Sequence, residues 1–204
     1  MDYFYDQAAH RFINARGHPL AWSTVRNNYR RILDVARTDV ARLAQQLRAG
    51  EITLAEWQRA MAHQVKLVHV ASAVARGGQL QMSQGDWGFV GGRIKDQYAY
   101  LRNFANQIAS GEQAVNGVIS LRADMYVDAG RSTQEALRRR MMGETGYVDE
   151  RRHLGVAEHC GDCVEYADRG WQPIDSLPEI GDSQCMVRCQ CFFQYRLPDG
   201  QEGE

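Results

Sequence analysis

Apolar residues recur at three- and four-residue spacing along most of the first 145 residues, a pattern typical of helices that bury one face. The first stripe runs from Val25 to Leu47, and Ser23 is placed to cap its helix. The second helix begins at a capping box formed by Thr53 and Glu56. The pattern therefore predicts a mainly α protein with a body of about four long helices. Their predicted ends lie before Gly50, at Gly77-Gly78, at Ser110-Gly111 and near Gly143.

Glycines set two further expectations for this helical body. The segment 83–92 contains four glycines, which predicts a capped short turn ahead of the third helix, with Trp87 and Phe89 packed on the core. The segment lacks the Gly-Lys-Ser/Thr ending of a phosphate-binding loop. Gly117 and Gly130 fall within the fourth stripe, so each either weakens that helix or lets another helix approach closely.

The first twenty residues contain apolar side chains that fit more than one structure. Phe4, Tyr5 and Phe12 fit one face of a short helix that Gly17-His18-Pro19 would break. Phe4 and Tyr5 also fit an arm that docks on a partner, or a strap across the protein's own core. We favour the strap, because terminal aromatic residues usually pack within their own chain.

After Gly146 the pattern changes from helical to extended. Residues 147–154 and 191–197 read as strands, and the second is rich in aromatic residues. The two predicted strands flank every cysteine of the chain in sequence. Pairing them in a small sheet would bring the two halves of the cysteine cluster together.

The cysteines have the spacing of a tetrahedral zinc site, in which two close pairs each bind one edge of the metal. Cys160 and Cys163 form a C-x-x-C pair, and Cys185, Cys189 and Cys191 offer three candidates for the other two positions. The sequence does not decide among these three. His153 and His159 are alternative ligands, although a surface or strand histidine is the simpler interpretation of each. All five cysteines are therefore candidate ligands of a structural Zn²⁺.

Composition bears on the compartment and on the disulfide alternative. Hydrophobic residues make up 44% and charged residues 24% of the chain, as in ordinary globular proteins, and the net charge is −1. The beginning of the sequence lacks the basic and apolar regions of a secretory signal, so we expect a reducing cytosol. Clustered cysteines there more often bind metal than form disulfides, and five cysteines leave one unpaired. A redox-active C-x-x-C pair remains the alternative.

Enzyme signatures are missing from the sequence. There is no H-E-x-x-H motif, no Gly-x-Ser-x-Gly elbow and no suitably placed H-x-E ahead of the C-x-x-C pair. Glu158 and Glu165 lie near the cysteines and could be a general base beside a catalytic zinc. Solvent-exposed carboxylates beside a closed structural site are the preferred interpretation. We therefore expect a protein that is not an enzyme.

The cysteine segment resembles the C-terminal end of tailed-phage minor head proteins, the head-morphogenesis proteins of the phage Mu F-like kind. The likeness runs from Glu150 through the C-x-x-C pair, a loop with Gly170 and Pro173, and Cys185 to Cys191. That family's pattern ends in His-Pro-x-Cys-Arg-Cys. Here Gln190 stands where arginine is usual and the His-Pro is absent, so Cys185 is the candidate for the histidine's place.

The resemblance implies a non-enzymatic virion structural protein, assembled in the bacterial host cytoplasm, that docks on phage capsid or portal subunits. Multiple copies, a contact with packaged DNA and no membrane association go with that role. The expected organisation is a helical body with an N-terminal arm, residues 1–145, and a zinc-binding module with an acidic tail, residues 146–204. The alternative is a zinc-ribbon nucleic-acid-binding protein, against which the near-zero net charge weighs. It would place five arginines on phosphates: Arg138, Arg139, Arg140, Arg151 and Arg152.

Overall fold

The computed structural model describes residues 3–75 and 81–203, and within these ranges the protein is mainly α-helical. The four long helices expected from the sequence are present, and a fifth, short helix lies in the C-terminal part. The predicted end of the second helix at Gly77-Gly78 lies outside the described residues. None of the described helices is long and apolar enough to cross a membrane. The five helices are α1 (Trp22–Arg48), α2 (Leu54–Val74), α3 (Gln84–Ala109), α4 (Gly117–Glu144) and α5 (Gly161–Asp168).

The apolar stripe of α1 is buried in the main core, as its spacing predicts. Leu33, Val40 and Ala44 are each no more than 4% exposed and pack with residues of α2, α3 and α4. The predicted cap is wrong, because Ser23 lies inside the first turn and the N-cap position is held by Ala21 without a side-chain hydrogen bond. Burial of the stripe, rather than capping, therefore stabilises this end of α1.

Side-chain caps fix the starts of α2 and α3. Thr53 and Glu56 form the predicted capping box, each side chain bonding to the other's backbone N–H. Ser83 and Asp86 form a second box, and α3 continues from there through all four glycines of segment 83–92. The predicted short turn is therefore wrong: the cap at Ser83 and the burial of Val90 outweigh the low helix propensity of glycine.

Helix α4 packs against each of the other long helices and crosses α2 at Gly130. A Cβ atom at Gly130 would lie 2.8 Å from Ser72 Oγ of α2 and closer still to Val68 Cγ1. Tyr29 of α1 shares a 2.8 Å hydrogen bond with the same Ser72 hydroxyl. Of the two roles expected for this glycine, close helix approach is the one the structure shows.

The N-terminal residues form strands rather than the predicted helix. β1 (Tyr3–Asp6) pairs antiparallel with β2 (Arg11–Asn14), which pairs with β3 (Pro19–Leu20). Tyr3 and Tyr5 are buried and alternate with half-buried residues, which is the two-residue period of a strand. Because Tyr5 packs within its own chain, the strap interpretation is confirmed for that residue.

The C-terminal sheet has four strands in the order β5-β4-β6-β7: β4 (Asp149–His153), β5 (Gln172–Pro173), β6 (Phe192–Arg196) and β7 (Glu202–Gly203). The predicted pairing of the two longer strands is confirmed, with β4 and β6 antiparallel and Glu150 opposite Tyr195. Tyr3, Tyr5 and Phe12 from the other end of the chain belong to the same core as the sheet's Phe193. The C-terminal module is thus covered by the N-terminal hairpin. The boundary between residues 145 and 146 stays a prediction.

Replacing Gly130 with alanine tests the close crossing of α2 and α4. We expect Gly130→Ala to lower the free energy of unfolding by about 2 kcal/mol, because the added methyl group must displace Val68 or Ser72. The matched control is Gly88→Ala on α3, where nothing lies within 4 Å of the new Cβ. That variant should gain about 0.5–1 kcal/mol from helix propensity. Equal effects in urea denaturation would contradict the packing shown here.

Candidate metal centre

Pairing of β4 with β6 positions the cysteines around one point. Cys160 is the N-cap residue of α5 and Cys163 lies in its first turn, shortly after β4. Cys185 and Cys189 flank a short 3₁₀ helix, Met186–Arg188, and Cys191 directly precedes β6. All five cysteines have free thiols.

The five sulfur atoms form two triads that share Cys163. Cys160, Cys163 and Cys185 make one set and Cys163, Cys189 and Cys191 the other, with all atoms of a set within 4.8 Å of one another. Cys163 Sγ lies 3.5 Å from Cys185 Sγ and 3.6 Å from Cys189 Sγ. A tetrahedral ion with four Zn–S bonds of ~2.3 Å has S–S edges of about 3.8 Å. The cysteines therefore cluster at metal-binding distance.

The two triads differ in burial. Cys163, Cys189 and Cys191 are at most 1% exposed and belong to the core of the module. Cys160 and Cys185 are half-buried and lie at the edge of that core. The cluster therefore has a closed inner side and a more accessible outer side.

Hydrogen bonds and burial shift the pKa values of the thiols in different directions. The bond from the Cys191 thiol lowers the pKa of Cys189 to about 4, against the effect of burial. Burial raises the pKa of Cys160, but backbone N–H groups of Cys163 and Cys185 outweigh this and lower it to about 7. Burial also raises the pKa of Cys185 to about 12. Two of the thiols are therefore poised to ionise, and thiolates are the form that binds metal.

The two candidate histidines have different positions. His153 stacks on Phe192 at a centroid distance of 5.3 Å, and its Nε2 atom lies 2.7 Å from Gln194 Oε1, so its contacts are with the sheet. His159 Nε2 donates to the Gly155 carbonyl at 2.7 Å, and its Nδ1 atom lies 3.7 Å from Cys191 Sγ. Only His159, of the two, borders the cysteine cluster.

An arginine of α4 holds the second cysteine turn in place. The Arg131 guanidinium donates to three consecutive carbonyls, those of Cys189 at 2.5 Å, Gln190 at 2.9 Å and Cys191 at 2.8 Å. Carbonyls of an irregular turn would otherwise lack partners, so this contact fixes the turn to the helical body. Sequence analysis missed Arg131, because nothing local links position 131 to residues almost sixty positions away.

Comparisons with protein-family models, with curated proteins and with solved structures return no match for this chain. The geometry of the site supports a metal centre formed by cysteines, and the type of metal that it would bind depends on the chemistry of these ligands.

The arginines that a nucleic-acid interface would need are mostly buried. Arg138 donates to the Phe193 carbonyl at 3.0 Å, and Arg139 binds the Glu150 carboxylate and the Leu177 carbonyl. Arg152 donates to the Glu179 carbonyl at 3.1 Å. All three residues are at most 5% exposed, so they join α4 and the loops to the sheet instead of facing phosphates.

The other two arginines of this set contact protein groups, and the two candidate general bases are exposed. Arg140 lies 3.5 Å from Asp86, and Arg151 is partly exposed and bonds Gln194. Glu158 and Glu165 are exposed, and Glu165 pairs with Arg169 on α5. Neither carboxylate is placed in the cysteine core, as the preferred interpretation expected.

Removing the charge of Glu150 tests the buried ion pair that joins α4 to β4. Glu150 is fully buried and both of its carboxylate oxygens bond the Arg139 guanidinium. Glu150→Gln leaves this buried cation without its buried counter-ion and with only the exposed Asp175 carboxylate, 3.4 Å away, as a charged partner. We expect a loss of about 3–5 kcal/mol in unfolding free energy. The control Glu165→Gln breaks an exposed pair and should cost less than about 1 kcal/mol. Similar losses in urea denaturation would show that the pair does not hold the sheet.

Proposed function

We propose that this chain is a non-enzymatic structural protein of the tailed-phage head, of the head-morphogenesis kind, whose C-terminal module is held by a structural zinc ion. In this proposal the protein docks on capsid or portal subunits during assembly in the host cytoplasm. The observation that carries it is the convergence of five thiols, from two turns twenty or more residues apart, on one point in the module's core.

Zinc is the ion that this ligand chemistry favours. Thiolates are soft ligands, and all-cysteine or cysteine–histidine sets bind zinc as closed structural sites. Cys163 is the one thiol common to both triads, so its sulfur atom lies within 4.8 Å of those of all four other cysteines. When bound, the ion would cross-link the turn at α5 to the turn before β6.

A structural role fits the small size of the module. Its core consists of a few side chains, among them Leu177, Ile180 and Phe193, together with the cysteines themselves. Segments of this size usually need a metal, disulfides or a covering element for stability. Here the N-terminal hairpin covers part of the module's core, and metal ligation would supply further stability.

The virion part of the proposal is supported by the resemblance of the cysteine segment to phage head-morphogenesis proteins. Three of the arginines on which the nucleic-acid alternative rested are buried.

Replacing Cys163 with serine tests the clamp and the assembly role together. Because Cys163 is shared by both triads, Cys163→Ser should weaken metal binding, lower the melting temperature by several degrees and reduce the amount of this chain in purified phage heads. The control is Val164→Ser, which alters the next, exposed residue of α5. Incorporation into heads is measured by quantitative mass spectrometry of purified particles.

Each part of the proposal has its own contradicting outcome. If Cys163→Ser melts and enters heads as the unaltered chain does, the metal clamp is not needed. If the unaltered chain is absent from purified heads, the virion role is wrong whatever the metal content. Val164→Ser should match the unaltered chain in both measurements.

A further inference from the structure

The cysteine cluster contains more donor groups than one tetrahedral ion can use. We propose that it binds two thiophilic divalent ions, one in each triad, with the Cys163 thiolate bridging them. The inference deepens the proposed structural metal site and rests on it. It assigns a ligand role to all five cysteines and a place in the outer coordination sphere to Ser183.

The arrangement of the sulfur atoms is the first reason. A single four-sulfur site requires every pair of ligand atoms to lie near the tetrahedral edge of about 3.8 Å. Among the described residues, the largest sets of thiols lying mutually within 4.8 Å are the two triads. They meet only at Cys163, which is the geometry of two coordination spheres with one common corner.

The inner triad offers three buried protein ligands, Cys163, Cys189 and Cys191. His159 borders this triad: its Nε2 atom donates to the Gly155 carbonyl at 2.7 Å, and its Nδ1 atom lies 3.7 Å from Cys191 Sγ. Its ring nitrogens do not lie within 4.8 Å of all three inner sulfur atoms, so the imidazole is a neighbour of the inner ion and not one of its ligands.

The outer triad also has the surroundings of a metal site. The sulfur atom of Cys160 lies within 4.8 Å of those of Cys163 and Cys185, on the half-buried side of the cluster. Ser183 is 8% exposed, and its hydroxyl oxygen lies 3.4 Å from Cys163 Sγ and 3.3 Å from Cys185 Sγ. This hydroxyl, or a water that it binds, would occupy the fourth position of the outer ion.

Charge balance is compatible with two ions. Five cysteines bound as thiolates would carry five negative charges. Two divalent ions reduce the excess to a single negative charge. The Arg152 guanidinium, 3.9 Å from Cys163 Sγ, lies next to the proposed bridging atom and offsets that charge.

Metal stoichiometry tests the inference. The full chain, purified with reductant and loaded with Cd²⁺, should hold two ions by native mass spectrometry and give two cadmium NMR resonances coupled through the shared sulfur. Cys185→Ser removes an outer ligand only, so it should keep one ion. The control Val164→Ser should keep two. The same chain loaded with Zn²⁺ should show the same masses relative to its chelated form.

The outcomes separate this inference from the proposed function. One ion with one resonance in the unaltered chain overturns the two-ion centre and leaves a single structural site standing. No bound ion overturns both. Two ions retained by a Cys185→Ser variant overturn the assignment of the outer triad. If that variant fails to fold, the two resonances of the unaltered chain decide the question alone.

Discussion

The antiparallel pairing of β4 with β6 is the contact on which the C-terminal half of the molecule depends. In this register His153 lies opposite Phe192. The C-terminal end of β4 and the N-terminal end of β6 therefore lie side by side at the same end of the strand pair. The turn carrying Cys160 follows one strand, and Cys191 precedes the other. A slip of one residue would turn the inward-facing Phe193 and Tyr195 to the other face. The register of the two strands therefore also determines whether the cysteines come together.

Helix α4 connects this sheet to the helical body through three arginines, of which Arg138 and Arg139 are buried and Arg131 is half-buried. Arg131 holds the second cysteine turn by its carbonyls, Arg138 bonds the Phe193 carbonyl, and Arg139 pairs with Glu150. Guanidinium groups suit this position because each donates in several directions from one planar group. The cysteine cluster is thereby supported from two sides, by the sheet and by one face of a long helix.

Periodicity and spacing predicted much of this structure, because those features depend on local sequence. The four long helices, the Thr53 capping box and the two strands around the cysteines all followed from patterns within one element. The start of α3 did not, since the four glycines of segment 83–92 have low helix propensity and the segment is helical only with the capping box at Ser83 and the burial of Val90. The N-terminal strands did not either, because their burial depends on Phe193 and other residues far along the chain.

At the candidate site too, local sequence patterns predicted some features, and contacts between distant residues determined the others. The C-x-x-C spacing and the later cysteines identified the candidate ligands, and the structure brings all five together. Burial of the arginine run could not be predicted, because a basic run looks the same whether its partner is Glu150 or a phosphate. The position of His159 beside Cys191 depends on the Gly155 carbonyl, a contact set by the fold of the loop.

X-ray absorption at the edge of the copurifying metal tests most directly whether sulfur atoms from both cysteine turns bind a metal ion. We expect zinc with a first shell dominated by sulfur at about 2.3 Å. A first shell of oxygen and nitrogen alone, or a protein that binds no metal under reducing conditions, would contradict it.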